Sequence, residues 1–280
     1  MTRIEKLRKK LPDGFGAALI KDIYNRLYLT GLESSAGVLV VTEKRAYLIV
    51  DFRYYEAAKV RARDVEVVLA DDGYAQIPDI LKSNGAGRLY VEDTLTLASF
   101  GKLEEALKKD IDVISDGALS CIVAGLRAVK EQQEIEAIKA AQGITDAAFG
   151  YILDFLKPGT TERDIAAELE YYMKKHGADD ISFPTICVSG TKTSMPHGVP
   201  GDDAVKTGDF ITMDFGAKKY GYCSDMTRTV AIGSVGSEQK KVYDAVLKAH
   251  IEAVNAAKAG IKGSELDKIA RDIIYAEGFE

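Results

Sequence analysis

Two aspartates in the second half of the chain have the spacing of metal ligands. Asp214 and Asp225 each lie in an apolar, β-branched or aromatic run that is typical of a strand. Gly216 and Gly221 flank the short polar connection between the two runs. A hairpin folded about Lys219 and Tyr220 would set Asp214 directly opposite Asp225, with their Cβ atoms about 5 Å apart. Two carboxylates this close on a half-buried sheet repel each other unless a cation lies between them, so the spacing predicts a metal site.

Divalent ions such as Mn²⁺, Co²⁺ or Zn²⁺ accept carboxylate ligands, and a bridging carboxylate pair suits a site with two ions. Two carboxylates cannot complete such a site, so further ligands are needed. Spacing alone also allows a second interpretation, in which Asp214 and Asp225 are strand-end carboxylates in turns or salt bridges.

His197 is a candidate catalytic residue because of the segment in which it lies. It stands in Met-Pro-His-Gly-Val-Pro, a loop-like stretch restrained by two prolines and a glycine just before the Asp-bearing strands. From such a loop its imidazole could face the same cleft and donate a hydrogen bond to a substrate or an intermediate. The alternative is an ordinary histidine of a surface loop.

The bulk composition excludes several classes of protein. With 280 residues, 46% hydrophobic and 29% charged, the chain can bury a proper core. A net charge of −6 without a basic patch argues against a nucleic-acid partner. The longest apolar run is too short to cross a bilayer, and the first residues lack the apolar core of a signal peptide. We therefore expect a soluble cytoplasmic protein with no membrane partner.

The elements that must position these residues change character near Gly125. The first part alternates short strands with helices, which predicts an α/β layer on a central sheet. The second part opens with a long periodic helix over residues 131–156 and a second helix capped by Thr160 or Thr161. Strands at 185–189, 209–215 and 222–232 and two more helices follow, which is typical of an α+β domain. We expect domains at 1–124 and 125–280.

Several short segments, taken together and in this order, resemble the aminopeptidase P and prolidase group of the pita-bread metallopeptidases, with a creatinase-like N-terminal domain. The segments that carry the resemblance are NRLYLTG (25–31), DFRYYEA (51–57), LRAVKEQQEI (126–135), SG (189–190), PHG (196–198), GD (208–209), DFG (214–216) and SDMTRT (224–229). One such motif is weak evidence, but the ordered set extends along nearly the whole chain and is highly specific.

The resemblance implies a metal-dependent Xaa-Pro peptidase of the aminopeptidase P or prolidase type. It implies that Asp214 and Asp225 are the first two of five ligands for two divalent ions, expected to be Mn²⁺, with Co²⁺ or Zn²⁺ as alternatives. A metal-bridging water would be the nucleophile, and His197 would contact the substrate or stabilise the tetrahedral intermediate. The partners implied are peptides or dipeptides with proline second, and a homodimer is expected.

One departure from the family limits these expectations. The family's remaining ligands, a histidine and two glutamates, come after the second closing helix, where this chain ends. We therefore expect a C-terminally truncated chain with an incomplete pita-bread domain and little or no peptidase activity of its own. Two alternatives stay open: a non-catalytic peptide-binding or scaffold protein on the same fold, and a creatinase-like, metal-free C–N hydrolase. Retention of both aspartates argues against the second, and the sequence does not separate aminopeptidase P from prolidase.

Overall fold

A computed structural model describes residues 1–70, 75–107 and 110–279. The chain divides into two compact units, Met1–Gln133 and Glu134–Glu280, and each is described by itself. The domain limits of 1–124 and 125–280 stay a prediction.

The first unit is built on a mixed six-stranded sheet. Its strands are β1 (Ala17–Ile20), β2 (Val38–Thr42), β3 (Ala46–Val50), β4 (Glu66–Leu69), β5 (Arg88–Val91) and β6 (Asp112–Ile114). Its helices are α1 (Arg3–Lys10), α2 (Ile23–Thr30), α3 (Phe52–Arg61), α4 (Ile77–Ser83), α5 (Leu97–Leu107) and α6 (Ala118–Ala128). The strand order is β4-β3-β2-β1-β5-β6, in which β2 pairs antiparallel with β1 and β3, and the outer pairs are parallel.

Strands β1, β2 and β3 are buried along their whole length, and their sequences are apolar apart from Thr42 at the end of β2. Apolar side chains pack on both faces of the sheet and form two separate core clusters. The α/β architecture expected for this part of the chain is confirmed.

The second unit combines long helices with two small antiparallel sheets. Its helices are α7 (Gln132–Phe155), which starts two residues before the unit, α8 (Glu162–Lys175), α9 (Ser237–Ala256) and α10 (Gly263–Ala276). Its strands are β7 (Asp180–Ile181), β8 (Ile186–Ser189), β9 (Phe210–Phe215), β10 (Ala217–Lys219), β11 (Tyr222–Cys223) and β12 (Met226–Ala231). One sheet has the order β11-β10-β7 and the other β12-β9-β8, and a short 3₁₀ helix, Gly190–Ser194, follows β8.

The core of this unit lies where α7 and α8 cover the sheet. Ile152 of α7 and Leu169 of α8 are fully buried and belong to the same cluster as Met213 and Phe215 of β9. The side chain of Thr161 accepts a hydrogen bond from the amide of Asp164 and caps α8, as expected from the sequence. The α+β class of this domain is also confirmed.

The run at 222–232 is not the single strand that the sequence predicted. It breaks after Cys223, so that β11 pairs with β10 while β12 pairs with β9. Asp225 therefore lies in the connection between two strands. Among the described residues, we find no helix that is both long and apolar enough to span a membrane.

Candidate active site

The hairpin that carries the two aspartates turns at Tyr220–Gly221. Both residues have positive φ, 52° and 80°, and Lys219 pairs directly with Tyr222 across the turn. Two central residues with positive φ define a type I′ turn, whose twist matches that of the flanking strands. The turn expected at Lys219 and Tyr220 was wrong by one residue, because glycine at the second central position favours a turn centred one residue later.

This turn shifts the register of the whole hairpin by two residues. Asp214 lies opposite Thr227 and not opposite Asp225, so the directly opposed pair predicted from the sequence was wrong. A shift of two residues keeps every side chain on its original face, since the period of a strand is two. Asp225, two residues before Thr227, is therefore a diagonal neighbour of Asp214 on the same face.

The two carboxylates are still in contact. The pKa of Asp225 is raised, first by partial burial, then by the charge of Asp214 and a hydrogen bond to it. Asp214 is half-buried and Asp225 is exposed. The Oδ1 atom of Asp214 is buried and has no hydrogen-bond partner among the residues that the structure describes. A buried acceptor without a donor, beside a second carboxylate, is an environment that suits a cation.

Gly216 and Ser224 create the break in pairing that brings Asp225 beside Asp214. A Cβ atom on Gly216 would lie 2.0 Å from the carbonyl oxygen of Ser224, so only glycine allows the two arms of the hairpin to approach this closely. The Ser224 hydroxyl lies 2.9 Å from the amide of Ala217 and 2.7 Å from the Thr145 hydroxyl of α7. One arm of the hairpin is β9 followed by β10, and the other is β11 followed by β12. At the break between the two strands of each arm, these buried contacts take the place of regular strand pairing. The roles of Thr145 and Ser224 were not predictable from the sequence, because hydroxyl pairs distant in sequence leave no local signal.

Asp214 and Asp225 are chemically suited to hold a divalent cation. Within residues 1–70, 75–107 and 110–279, no third His, Cys, Asp or Glu joins them in a metal-binding group. The structure thus brings together the two predicted carboxylates, and their role as metal ligands stays a prediction.

His197 lies at a tight turn in the segment after β8. The amide of Gly198 donates to the carbonyl of Met195 at 3.0 Å, and Pro196 and His197 occupy the corners of the turn. The His197 side chain is exposed, and it makes no hydrogen bond to Asp214 or Asp225 in the described structure. Its catalytic role stays a prediction.

The turn nevertheless packs on the face of the sheet that carries Asp214. Gly198 is buried so closely against Val188 that an added Cβ would lie 2.6 Å from Val188 Cγ1. Val188 is opposite Thr212 in the ladder, and Thr212 is two residues from Asp214 on the same strand. Opposed residues and residues two apart share one face of a sheet. His197 is therefore anchored, through Gly198, to the Asp214 face.

Two family models and a relative from Bacillus subtilis match this chain. A model described as metallopeptidase family M24 matches residues 136–280, and a model of the creatinase/prolidase N-terminal domain matches residues 3–129. The uncharacterized peptidase YqhT of Bacillus subtilis is 38% identical over 283 residues, which cover 99% of this chain and 78% of YqhT.

Solved structures similar to this chain cover nearly all of it. An Xaa-Pro dipeptidase from Bacillus anthracis has a TM-score of 0.92 and 39% identity, covering 98% of this chain and 77% of its own. An X-Pro aminopeptidase from Thermotoga maritima has a TM-score of 0.86 and 35% identity, covering 95% of this chain and 76% of its own.

Proposed function

This chain belongs to metallopeptidase family M24, with a creatinase/prolidase N-terminal domain, and from that membership we propose that it is a metal-dependent Xaa-Pro peptidase. Its substrates would be peptides or dipeptides whose second residue is proline. The names of two similar structures, an Xaa-Pro dipeptidase and an X-Pro aminopeptidase, support this substrate class and favour neither type. The observation that carries the proposal is that Oδ1 of Asp214, beside Asp225, is buried and has no hydrogen-bond partner among the described residues.

In this proposal, Asp214 and Asp225 supply two of the ligands for two divalent ions, with Mn²⁺ as the preferred metal. The chemistry that such ions supply when bound is Lewis acidity toward a carbonyl and toward water. The aspartates themselves fix the position of the ions and offset their charge, which relieves the repulsion between the two carboxylates.

His197 is proposed to orient the substrate. It is exposed, and its turn is anchored to the Asp214 face through Gly198 and Val188. An imidazole N–H in that position would donate a hydrogen bond to the carbonyl oxygen of the scissile bond or to the oxyanion that develops from it. We also propose that the protein acts in the cytoplasm as a homodimer, which light scattering after size-exclusion chromatography would check.

Metal binding is the first test, since it needs no turnover. Titration of the purified chain with Mn²⁺, followed by the EPR signal of the free ion, should give saturable binding. Loss of a group that merely supports a ligand weakens metal binding about 10–100-fold, so Asp214→Asn and Asp225→Asn should each weaken it at least about tenfold. Asp146→Asn, at an exposed carboxylate of α7, is the matched control. Equal affinity in wild type and Asp214→Asn would refute the metal assignment.

Substrate class is tested on the Mn²⁺-loaded chain. Bound Mn²⁺ should broaden the NMR lines of Ala-Pro and Ala-Pro-Gly more than those of Ala-Ala, and His197→Asn should weaken this effect without changing Mn²⁺ affinity. Hydrolysis of either proline peptide then identifies the peptidase type. Selective binding with no hydrolysis agrees with the little or no activity expected of this chain alone as well as with the non-catalytic peptide-binding alternative, and equal broadening of all three peptides would refute proline recognition.

A further inference from the structure

Glu162, the first residue of α8, is a buried carboxylate with a full set of donors. It is 0% exposed. Its Oε1 accepts from the amide and the hydroxyl of Ser189, at 2.7 and 3.0 Å. Its Oε2 accepts from the amide of Gly201 at 3.0 Å and from Lys192 Nζ. Burying a charge costs several kcal/mol in general, so such an arrangement persists only where its partners compensate it.

The helix itself does not require this side chain. Thr161 already caps α8 by accepting from Asp164, and an acidic first residue adds only a modest interaction with the helix dipole. An exposed glutamate would serve that purpose without burial. The arrangement therefore indicates a role toward the partners of Glu162 and not toward α8.

Those partners enclose the segment that carries His197. Ser189 is the last residue of β8, and Gly201 lies four residues after His197. Two backbone bonds strengthen the same attachment: the amide of Arg163 donates to Gly201 at 3.0 Å and that of Glu162 to Asp203 at 3.1 Å. One carboxylate thus joins both ends of the segment to the first turn of α8.

Inside the segment, the backbone hydrogen bonds of the described residues are short-range. The amide of Met195 donates to Lys192 at 2.9 Å, and that of Gly198 donates to Met195 at 3.0 Å. Such local turns set the shape of a loop but not its position on the sheet. The position depends on the ends and on the contact between Gly198 and Val188.

We propose that Glu162 is a positioning residue, which holds residues 190–200 so that His197 is presented over the sheet face of Asp214. The functional consequence rests on the proposed role of His197, while the positioning itself does not. The charges that face Glu162 fit this role. The ammonium group of Lys192, within the segment, is shared between Glu162 on α8 and Asp203, which lies just after the segment and 3.2 Å from that group. Burial opposes ionisation of Glu162, but hydrogen bonds from Lys192, Gly201 and Ser189 outweigh it and lower its pKa.

The test compares Glu162→Gln with Glu170→Gln, the same substitution two turns later on α8. Glutamine keeps the size of the side chain but turns one acceptor oxygen into a donor, which faces donors on either side. A charge-assisted hydrogen bond contributes about 1.5–3 kcal/mol, and about 1.4 kcal/mol is a factor of ten. Hydrogen exchange at the amides of Ser189 and Gly201 should therefore accelerate at least about tenfold in Glu162→Gln and remain unchanged in Glu170→Gln.

The readout specific to positioning is the imidazole of His197. The chain has three histidines, so nitrogen-detected ring spectra resolve each one. In Glu162→Gln the His197 signals should move away from their wild-type positions, while those of His176, stacked on Tyr172, and of His250 should stay unchanged. His197 signals and Ser189 and Gly201 exchange equal to those of Glu170→Gln would overturn the proposal.

A second variant covers the case in which Glu162→Gln unfolds the unit, which faster exchange in β9 would reveal. Lys192→Met keeps the carboxylate and removes one partner, and it should shift His197 in the same direction with intact β9. An unchanged His197 in that variant overturns the proposal. These spectra need neither metal nor substrate, so failure of the peptidase proposal leaves them unaffected. With Mn²⁺ bound, the broadening of Ala-Pro should fall in Glu162→Gln at unchanged Mn²⁺ affinity.

Discussion

Gly216→Ala is the substitution that most directly tests how the aspartate pair is built. The added methyl carbon would lie 2.0 Å from the carbonyl oxygen of Ser224, 2.8 Å from its carbonyl carbon and 3.0 Å from Ser182 Oγ. Carbon atoms in favourable contact are about 3.5–4.0 Å apart, so the backbone at Ser224 must move by more than about 1 Å.

The size of the destabilisation by Gly216→Ala depends on which atoms would have to move. Overpacking costs about 1–3 kcal/mol, and more where the neighbour cannot yield. Two of the three atoms belong to the backbone, and the Ser224 side chain is tied to Ala217 and Thr145. We therefore expect Gly216→Ala to destabilise the second unit by about 3 kcal/mol. Gly216 does not have a positive φ, so the loss is steric and not conformational.

Gly150→Ala is a matched control with the opposite expected sign. Gly150 is exposed in the interior of α7, and an added Cβ would meet no described atom within 4 Å. Alanine in a helix interior is more stable than glycine by about 0.5–1 kcal/mol. The same chemical change should therefore stabilise the protein at one position and destabilise it at the other.

Hydrogen exchange of the β9 amides under native conditions measures both effects within the second unit. A Gly216→Ala protein within about 0.5 kcal/mol of wild type would refute the reasoning, since surface substitutions commonly fall in that range. Because Asp225 follows Ser224 directly, Gly216→Ala should also weaken Mn²⁺ binding, whereas Gly150→Ala should not.

Three further predictions follow from contacts around the site. Ser224→Ala and Thr145→Val should each destabilise the second unit by about 1–2 kcal/mol, as measured by hydrogen exchange of the β9 amides. The double variant should lose less stability than the sum of the two single losses, because the two hydroxyls share one hydrogen-bond network. Burial alone would raise the pKa of Glu162, but the hydrogen bonds to its carboxylate outweigh burial and hold this pKa below the ordinary value of 4.5. Ionised Glu162 therefore stabilises the fold above pH 4.5, and this stabilisation is lost as the pH falls through the lower pKa of the folded state. The stability gap to Glu162→Gln, about 3 kcal/mol at neutral pH, should therefore narrow below pH 4.5 in urea unfolding; a constant gap would contradict it. Burial raises the pKa of Cys187 to about 12, so a thiol reagent at neutral pH should label the exposed Cys121 and Cys223 quickly, and Cys187 only after unfolding.

Much of the fold was predictable because it depends on local periodicity. The long helix expected at 131–156 is α7, Gln132–Phe155, and Thr161 caps the next helix as its side-chain chemistry requires. The strand at 209–215 is β9, Phe210–Phe215. The break within 222–232 was not predictable, because it depends on the close approach of Gly216 and Ser224, two residues on different strands.

Residue type and spacing were enough to place Asp214 and Asp225 on one face, because a register error of two residues leaves a strand's faces unchanged. Which residues oppose each other depends on the fold, since the type I′ turn at Tyr220–Gly221 sets the register. The burial of Glu162 depends on the fold as well, because its donors come from Ser189, Lys192 and Gly201. Those residues are distant from it in the chain, and no local pattern encodes a partner that only folding brings near.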